Sequence, residues 1–154
     1  MSIFRGLICF PVSLIILVSL VCLTTLPSPG YCEDEWVYVG TNDDFTSYYN
    51  KSSIKIDEQN QIIKVWVKHT FTDNKREQMI KINGIECKDI DNEVLFVFLN
   101  YRDWKVSVHK LTDYSTTDKV INSNNSPTPF FIIPPNSPVD LLLNKLIEDY
   151  NIQR

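Results

Sequence analysis

The sequence predicts an α+β domain, a single antiparallel β-sheet of about five to six strands packed against a C-terminal α-helix. Short runs of β-branched and aromatic residues recur from residue 36 onward, and Asn, Asp, Gly and Pro separate them. The last stretch instead carries leucines at three- and four-residue spacing, which is the period of an amphipathic helix. A sheet buries one face under such a helix, so the two patterns together indicate one packed domain.

The first strand is predicted at residues 36–40, with the sequence WVYVG. Successive side chains of a strand point to opposite faces. Trp36 and Tyr38 therefore share one face, and Val37 and Val39 share the other. Both faces of this strand carry bulky groups, so both are expected to be partly covered.

A second extended segment, a polar turn and a third strand follow in order. They are SYYNKSSIKI at 47–56, DEQNQ at 57–61 and IIKVWVKHTF at 62–71. The third strand alternates strictly, which predicts one core face and one solvated face, as is typical of an antiparallel sheet. The alternating residues are Ile63, Val65 and Val67 on one side and Lys64, Trp66 and Lys68 on the other.

The strongest hairpin signal lies in the second half of the chain. EVLFVFLNY at 93–101 and WKVSVHKLTDY at 104–114 are separated only by the polar pair Arg102–Asp103. Alternation along the second of these strands leaves either His109 or Lys110 on the face opposite its valines. The sequence does not decide between the two.

Weaker patterns complete the predicted sheet. Residues 118–123 predict a short strand, and the proline-rich stretch at 126–138 suits only an edge strand or an extended segment. A short helix is predicted around Lys75–Ile82, ending near Gly84.

The C-terminal helix has a clear start signal. Ser137 suits the N-cap, Pro138 the first helical position, and Asp140 the place where a capping box puts an acid. The residues expected to face the sheet are Leu142, Leu143, Leu146 and Tyr150.

The N-terminal segment predicts export. One basic residue, Arg5, precedes an apolar run from Leu7 to Leu26, and a Pro/Gly break leads into an acidic cluster. This order is typical of a secretory signal peptide over residues 1–32, leaving a domain at 33–154. The apolar run also has the length of a membrane span, so an uncleaved anchor stays open as the alternative.

Charge and cysteine content exclude several classes. The chain has a formal net charge of -4, which argues against general affinity for nucleic acid or anionic lipid. Contact with a membrane is expected only through the N-terminal segment, if it stays uncleaved. Cys9, Cys22 and Cys32 lie in or beside that segment, so Cys87 is either unpaired or bonded to Cys32. A disulfide framework is not expected.

No motif of catalysis or metal binding stands out. His69 and His109 both follow strand patterns without a third ligand nearby, so no metal site is expected. Cys87 has no local nucleophile signature, and four glycines in the whole chain cannot form a phosphate loop. We therefore expect a protein that is not an enzyme and that uses no cofactor.

The remaining chemistry is aromatic and cationic. Lys64, Trp66 and Lys68 form a strip that suits a contact surface, although Trp66 packed beneath the helix fits the pattern equally well. Most of the aromatic residues are expected to form the core under the helix. These are Tyr48, Tyr49, Trp66, Tyr101, Trp104, Tyr114, Phe130 and Phe131.

Five short motifs follow one another along the domain: WVYVG at 36, YYNKSSIK at 48, VWVK at 65, LTDY at 111 and IIPPNSP at 132, before the last helix. Together they resemble the surface-adhesin protein E family of small exported bacterial proteins. The resemblance implies a twisted antiparallel sheet against a helix, in a protein of the periplasm, the outer membrane or the cell surface. It also implies binding of extracellular-matrix or envelope proteins, with vitronectin and laminin as known partners in the family. The binding residues we expect are Lys64, Trp66, Lys68, Tyr48 and Tyr49.

Two departures from the family pattern weaken the transfer of ligand binding. Tyr101 stands where many relatives carry the first of two bonded cysteines, and no Cys follows Cys87. Phe130 replaces the usual Trp before the IPP motif. The leading expectation is thus a non-catalytic, adhesin-like binding protein. The alternatives are a periplasmic structural or envelope-assembly protein, and a hydrolase or thiol enzyme in which Cys87 or a histidine converges with acids.

Overall fold

The computed structural model describes residues 35–83 and 88–153, without the side chain of Asn83. Within this part, the chain forms one antiparallel sheet of eight strands and two α-helices. The elements are β1 (Trp36–Thr41), β2 (Phe45–Asn50), β3 (Lys55–Asp57), β4 (Ile62–Phe71), α1 (Asp73–Asn83), β5 (Ile90–Asn100), β6 (Lys105–Ser115), β7 (Val120–Asn124), β8 (Phe131–Ile132) and α2 (Pro138–Asp149).

The main path of the sheet runs β1-β2-β4-β5-β6-β7, with β3 added beside β4 and β8 beside β6. The predicted α+β class is confirmed, and the two extra strands account for the larger strand number. The predictions for the N-terminal segment 1–32 and for Cys87 fall outside the described residues. No helix within the described residues is long and apolar enough to cross a membrane.

The strict alternation along β4 is confirmed. Ile63, Val65 and Val67 are buried in the core, whereas the residues between them are half-buried on the other face. The same division continues on β5, where Leu95, Val97 and Leu99 are buried. We call the face that carries these residues the helix face of the sheet, and the opposite side the outer face.

Helix α2 covers the helix face. It begins as predicted, because the Ser137 Oγ accepts a hydrogen bond from the Asp140 N–H at 3.2 Å. Leu142, Leu143 and Leu146 are buried in the common core. Burial of three leucines supplies much more stabilisation than helix propensity does.

Side chains from the sheet hold both ends of α2. The indole N–H of Trp104 donates to Asp140 Oδ1 at 2.7 Å near the start of the helix. The Tyr49 hydroxyl donates to Asp149 Oδ2 at 3.1 Å in its last turn. These bonds connect α2 to two different parts of the sheet, which sets its direction across the strands.

The β5–β6 hairpin contains a β-bulge that resolves the ambiguity at its second strand. Phe96 lies opposite Lys110, and Val97 lies opposite Val108, so His109 is an extra residue. The ring of His109 stacks on Phe98, an outer-face residue, and Lys110 also reaches the outer face. Both side chains therefore lie on the same side, as the inserted residue of a bulge allows.

The segment 47–56 departs from the prediction of one extended piece. It divides into β2, a 3-10 turn at Lys51–Ser53, and β3. The side chain of Asn50 accepts a hydrogen bond from Ser53 N–H at 3.1 Å and stabilises this turn. The side-chain oxygen of Asn50 takes a backbone N–H that could otherwise join the sheet, so the extended chain is interrupted here.

The expectation that most aromatic residues form the core is wrong. Of the eight named above, only Tyr49 and Tyr101 are buried. The others are half-buried or exposed. Trp104 packs against the edge of the core and bonds to α2, whereas Tyr48 and Trp66 lie on the outer face. Aliphatic side chains supply most of the core instead.

Helix α1 agrees with the prediction at 75–82. Arg76 pairs with Asp73 within the helix and with Asp91 beside β5, and Lys75 pairs with Asp44 at 3.3 Å. Met79 and Ile82 line a shallow depression with the helix-face residues Phe45 and Phe71. Helix α1 is thus attached to the helix face of the sheet mainly by ion pairs.

Candidate functional site

The outer face of the sheet is the first candidate site. Ten aromatic and basic side chains meet there, and no helix of the described residues packs on them. All are half-buried, except Tyr38, which is 55% exposed. They are Trp36, Tyr38, Tyr48, Lys64, Trp66, Lys68, Phe96, Phe98, His109 and Lys110, and we call them the aromatic–lysine face.

Four rings form a continuous row across three strands. Ring centroids are 4.9 Å apart between Trp66 and Phe96, 5.4 Å between Phe96 and Phe98, and 3.6 Å between Phe98 and His109. The first two distances fall in the usual range for aromatic pairs, and the third is that of a closer, nearly parallel stack. The row forms because Trp66 lies opposite Phe96 in the β4–β5 register, which sequence reasoning did not supply.

Three lysines lie over these rings and their neighbours. The Nζ of Lys64 is 4.9 Å from the centroid of Phe98, and the Nζ of Lys110 is 5.7 Å from that of Trp66. The Nζ of Lys68 is 4.9 Å from Trp36 and 5.5 Å from Tyr48. Each distance falls within the range of a cation–π interaction.

None of these three lysines forms an ion pair with a residue of the described segments. Acids collect on the helix face instead. There, burial raises the pKa of Asp113, and the nearby Glu93 raises it further. At the margin of the outer face, hydrogen bonds from Asn60 lower the pKa of Asp57, and Lys64 contributes. The aromatic–lysine face is therefore locally basic on a chain that is acidic overall.

Four of the five predicted binding residues come together on this face. Tyr48 and Lys68 are cross-strand partners, and Lys64 and Trp66 continue along the same strand. Tyr49 is the exception, because it is 2% exposed on the helix face and bonded to Asp149. Tyr48 and Tyr49 follow each other in a part of β2 that pairs regularly with β4, so their side chains point to opposite faces. The inclusion of Tyr49 in an exposed binding surface is therefore wrong.

Placing Trp66 beneath the helix is also wrong, since its ring lies among outer-face residues. Sequence reasoning missed several members of the face: Trp36, Tyr38, Phe96, Phe98, His109 and Lys110. The alternation of side chains along β5 would by itself have placed Phe96 and Phe98 on the same face. The contribution of β6 depends on the bulge, for which the sequence has no visible signal.

A second cluster lies on the helix face at one cross-strand level. Ser47 is opposite His69, and His69 is opposite Glu93. His69 Nδ1 lies 2.9 Å from Glu93 Oε1, and the ring of Phe45 stacks on the imidazole at 4.3 Å. The histidine is thus buried, oriented and paired.

Ser47 is the third residue of this cluster, but its hydroxyl takes no part in the hydrogen bond between His69 and Glu93. It is 3% exposed, and its Oγ has no hydrogen-bond partner among the described residues. A catalytic serine is activated by a hydrogen bond to a base, and none is formed here. The three residues therefore have the order of a catalytic triad across the strands but not its connectivity.

Two cavities adjoin at Ser47, under the first turn of α2. The smaller, of about 70 Å³, is lined mainly by apolar side chains such as Val67, Val97 and Leu142, together with His69. The larger, of about 170 Å³, is lined by Gly40, Phe45 and Leu141 and by the exposed residues Thr41, Asn42 and Asn136. Val39, Ser47 and Pro138 line both cavities.

The two histidines lie on opposite faces of the sheet, so they cannot share a metal ion. Within residues 35–83 and 88–153, no three His, Cys, Asp or Glu side chains meet in a cluster that could hold one.

No family model and no curated protein matches the chain. Among solved structures, three crystal structures of protein E from Haemophilus influenzae are similar to it. The first has a TM-score of 0.49 at 12% identity, and covers 77% of this chain and 89% of that one. The second, crystal form II, has a TM-score of 0.47 at 11% identity, with 74% and 94% covered. The third, from a non-typeable strain, has a TM-score of 0.46 at 12% identity, with 80% and 82% covered.

Proposed function

We propose that this protein is a non-catalytic binding module that engages a protein partner through its aromatic–lysine face. The single observation that supports the proposal is the row of rings with three overlying lysines that lack an ion-pair partner in the described part of the chain. Such a surface offers both apolar contact area and uncompensated charge.

The physical argument concerns what a partner gains on this face. Large aromatic side chains dominate the energetics of protein interfaces, because they bury much area with few rotatable bonds. The lysine side chains already lie across rings, so their ordering on binding costs less than that of free lysines. Uncompensated positive charge attracts an acidic partner and speeds its association.

The motifs in the sequence support the class of partner. They resemble an exported adhesin family, so we propose an exported protein of the periplasm or cell surface whose partners are extracellular-matrix or envelope proteins. The N-terminal segment would direct that export. The adhesin-like role also requires that the domain reach the outside of the cell.

Accessibility on intact cells tests this role. We would label intact cells with a membrane-impermeant biotin reagent and compare them with cells whose outer membrane has been opened. Labelling of intact cells supports an adhesin-like protein. Protection until the membrane is opened would overturn the surface role and leave a periplasmic binding module.

Binding to immobilised matrix proteins tests the face itself. Wild-type protein should bind saturably, whereas Trp66→Ala and the pair Lys64→Glu/Lys68→Glu should each weaken binding at least about tenfold, as hot-spot residues do. Lys81→Glu/Lys119→Glu is the matched control, since both lysines are exposed, on α1 and beside β7, and the change in net charge is the same. An equal loss in the control would show that overall charge, rather than this face, carries the binding.

An envelope-assembly role is the second candidate, and the exposed edge of the sheet favours it. All five residues of β7 are exposed, and Phe131 and Ile132 of β8 are 49% and 72% exposed. An open edge can accept a strand from a partner. Co-fractionation with an envelope complex, abolished by Ile121→Pro but retained in Trp66→Ala, would favour this role over the first.

A further inference from the structure

We infer that the two adjoining cavities under α2 form a binding site for a small neutral molecule with an apolar body and one hydroxyl group. This site lies on the helix face and is separate from the aromatic–lysine face. The hydroxyl of the ligand would pair with Ser47 Oγ.

The first step is the unusual chemistry of position 47. Its strand neighbours on the helix face are Val67 and His69 on β4 and Tyr49 on its own strand. A hydroxyl buried without a hydrogen bond is destabilising compared with an apolar group of similar shape. Buried unpaired groups are few in native proteins, and sites that break this rule are often functional.

The second step is the space into which the hydroxyl faces. Ser47 lines both cavities, so a group held at its Oγ can have apolar contacts on either side. An apolar cavity of about 150 Å³ is large enough to bind benzene. The larger cavity, of about 170 Å³, therefore has room for one six-membered ring, and the smaller accepts only a methyl-sized group.

The third step is access. The larger cavity borders Thr41, Asn42 and Asn136, which are exposed, and Leu141, which is 49% exposed. An exposed leucine at the border of a cavity supplies apolar contact to an entering ligand. No Asp, Glu, Lys or Arg among the described residues lines either cavity, and His69, which lines the smaller one, is already paired with Glu93. A neutral ligand is therefore favoured over an ion, because a charge here would be desolvated without a partner.

Phenol and toluene are a matched pair of probes, since they share a ring and differ in the hydroxyl. We would titrate each into the full-length protein and follow backbone amide chemical shifts. Both should shift residues around Gly40, Ser47 and Leu141, and phenol should bind more tightly by about five- to tenfold, the worth of one hydrogen bond.

Ser47→Ala should remove the preference for phenol while toluene binding stays within a factor of two. The same change should raise Tm by about 2–5 °C, because it deletes an unpaired buried hydroxyl. Ser126→Ala, at an exposed position after β7, is the control and should change neither quantity. A lower Tm with unchanged phenol affinity would overturn the proposal and make Ser47 a structural residue.

Gly40→Val tests the cavity and leaves Ser47, its cross-strand partner, unchanged in sequence. The Cβ of the new residue would meet Leu141 Cδ1 at 3.7 Å, an ordinary contact, and its two methyl groups would occupy the larger cavity that Gly40 lines. The substitution should abolish binding of both probes. Lys68→Glu on the outer face should leave probe binding unchanged, which separates this site from the proposed protein-binding face. If neither probe shifts the amides around Ser47 at millimolar concentration, the cavities hold only water and the inference fails.

Discussion

At the scale of single residues, the adjacent tyrosines of β2 take opposite roles. Tyr48 joins the aromatic–lysine face, where Lys68 lies 5.5 Å from its ring. Tyr49 is buried and bonds to the last turn of α2 through Asp149. One residue therefore belongs to a candidate binding surface, and its neighbour holds the fold together.

Tyr49 should make stability depend on pH in the alkaline range. Burial, together with the hydrogen bond to Asp149, raises the pKa of Tyr49 from 10.0 to about 12. The unfolded chain loses this proton near pH 10, whereas the folded chain retains it until about pH 12. The resulting stabilisation, on the order of 2–3 kcal/mol, is complete below pH 10 and is lost as the pH rises from 10 to 12.

Absorbance of tyrosinate during an alkaline titration checks this expectation. The titration of the seven tyrosines of the sequence should include a late phase near pH 12, and Tyr49→Phe should remove that phase. Tyr38→Phe is the control, since Tyr38 is 55% exposed. A wild-type titration without any late phase would contradict the burial of the Tyr49 hydroxyl.

At the scale of elements, α2 stabilises the domain through the side chains it buries. Leu143 and Leu146 are fully buried against the sheet, whereas Leu141 is 49% exposed on the same helix. Hydrogen bonds from Trp104 and Tyr49 hold the two ends of the helix and so position these leucines. The helix and the sheet should therefore unfold together.

Leu143→Ala should lower the free energy of unfolding by about 2–5 kcal/mol, because it removes buried apolar contacts and leaves a cavity. Leu141→Ala should cost less than about 1 kcal/mol, since half of its surface is already exposed. Urea denaturation followed by circular dichroism measures both. Equal costs for the two substitutions would show that α2 does not pack on the sheet through Leu143.

The turn of the β5–β6 hairpin should contribute to helix stability through one bond. Trp104→Phe retains an aromatic ring but deletes the indole donor to Asp140, which lies at 2.7 Å. A hydrogen bond to a charged group is worth about 1.5–3 kcal/mol, so we expect a loss in that range.

A double-mutant cycle with Asp140→Ala checks the origin of that loss. The cost of the double mutant should fall short of the sum of the two single costs by most of the cost of Trp104→Phe, because both substitutions delete the same bond. Additive costs would mean that Trp104 acts through its packing alone.

At the scale of the whole molecule, charge is divided between the two sides of the sheet. The sequence has a pI of about 5.1, yet the aromatic–lysine face has three lysines without an ion pair in the described residues. The acids Glu93, Asp113 and Asp140 lie on the opposite side, near the helices. A single net charge therefore describes neither side.

This division predicts retention on a sulfonate cation exchanger at pH 7, above the pI. The wild-type protein should bind at low salt and elute as salt screens the lysines. The pair Lys64→Glu/Lys68→Glu should flow through, whereas Lys81→Glu/Lys119→Glu should still be retained. Flow-through of the wild type at low salt would show that the outer face is not a basic surface.

The alternation of side chains along β4 and the start of the last helix could be predicted from the sequence alone. Lys64, Trp66 and Lys68 share a face because backbone geometry alternates side chains, and Ser137 caps α2 because its side chain is beside the free amides. These are local properties, so neighbouring residues suffice to predict them. The α+β class follows from the same periodicities.

Contacts across strands, and the side of the sheet that α2 covers, depend on the packing of the whole domain. The β4–β5 register brings Trp66 to Phe96, the bulge turns His109 and Lys110 to one face, and Ser47 reaches the cavities only through packing under α2. Tyr48 and Tyr49 are equivalent in the sequence until the helix buries one side. Register and burial depend on contacts between residues far apart in the chain, which summed local preferences do not specify.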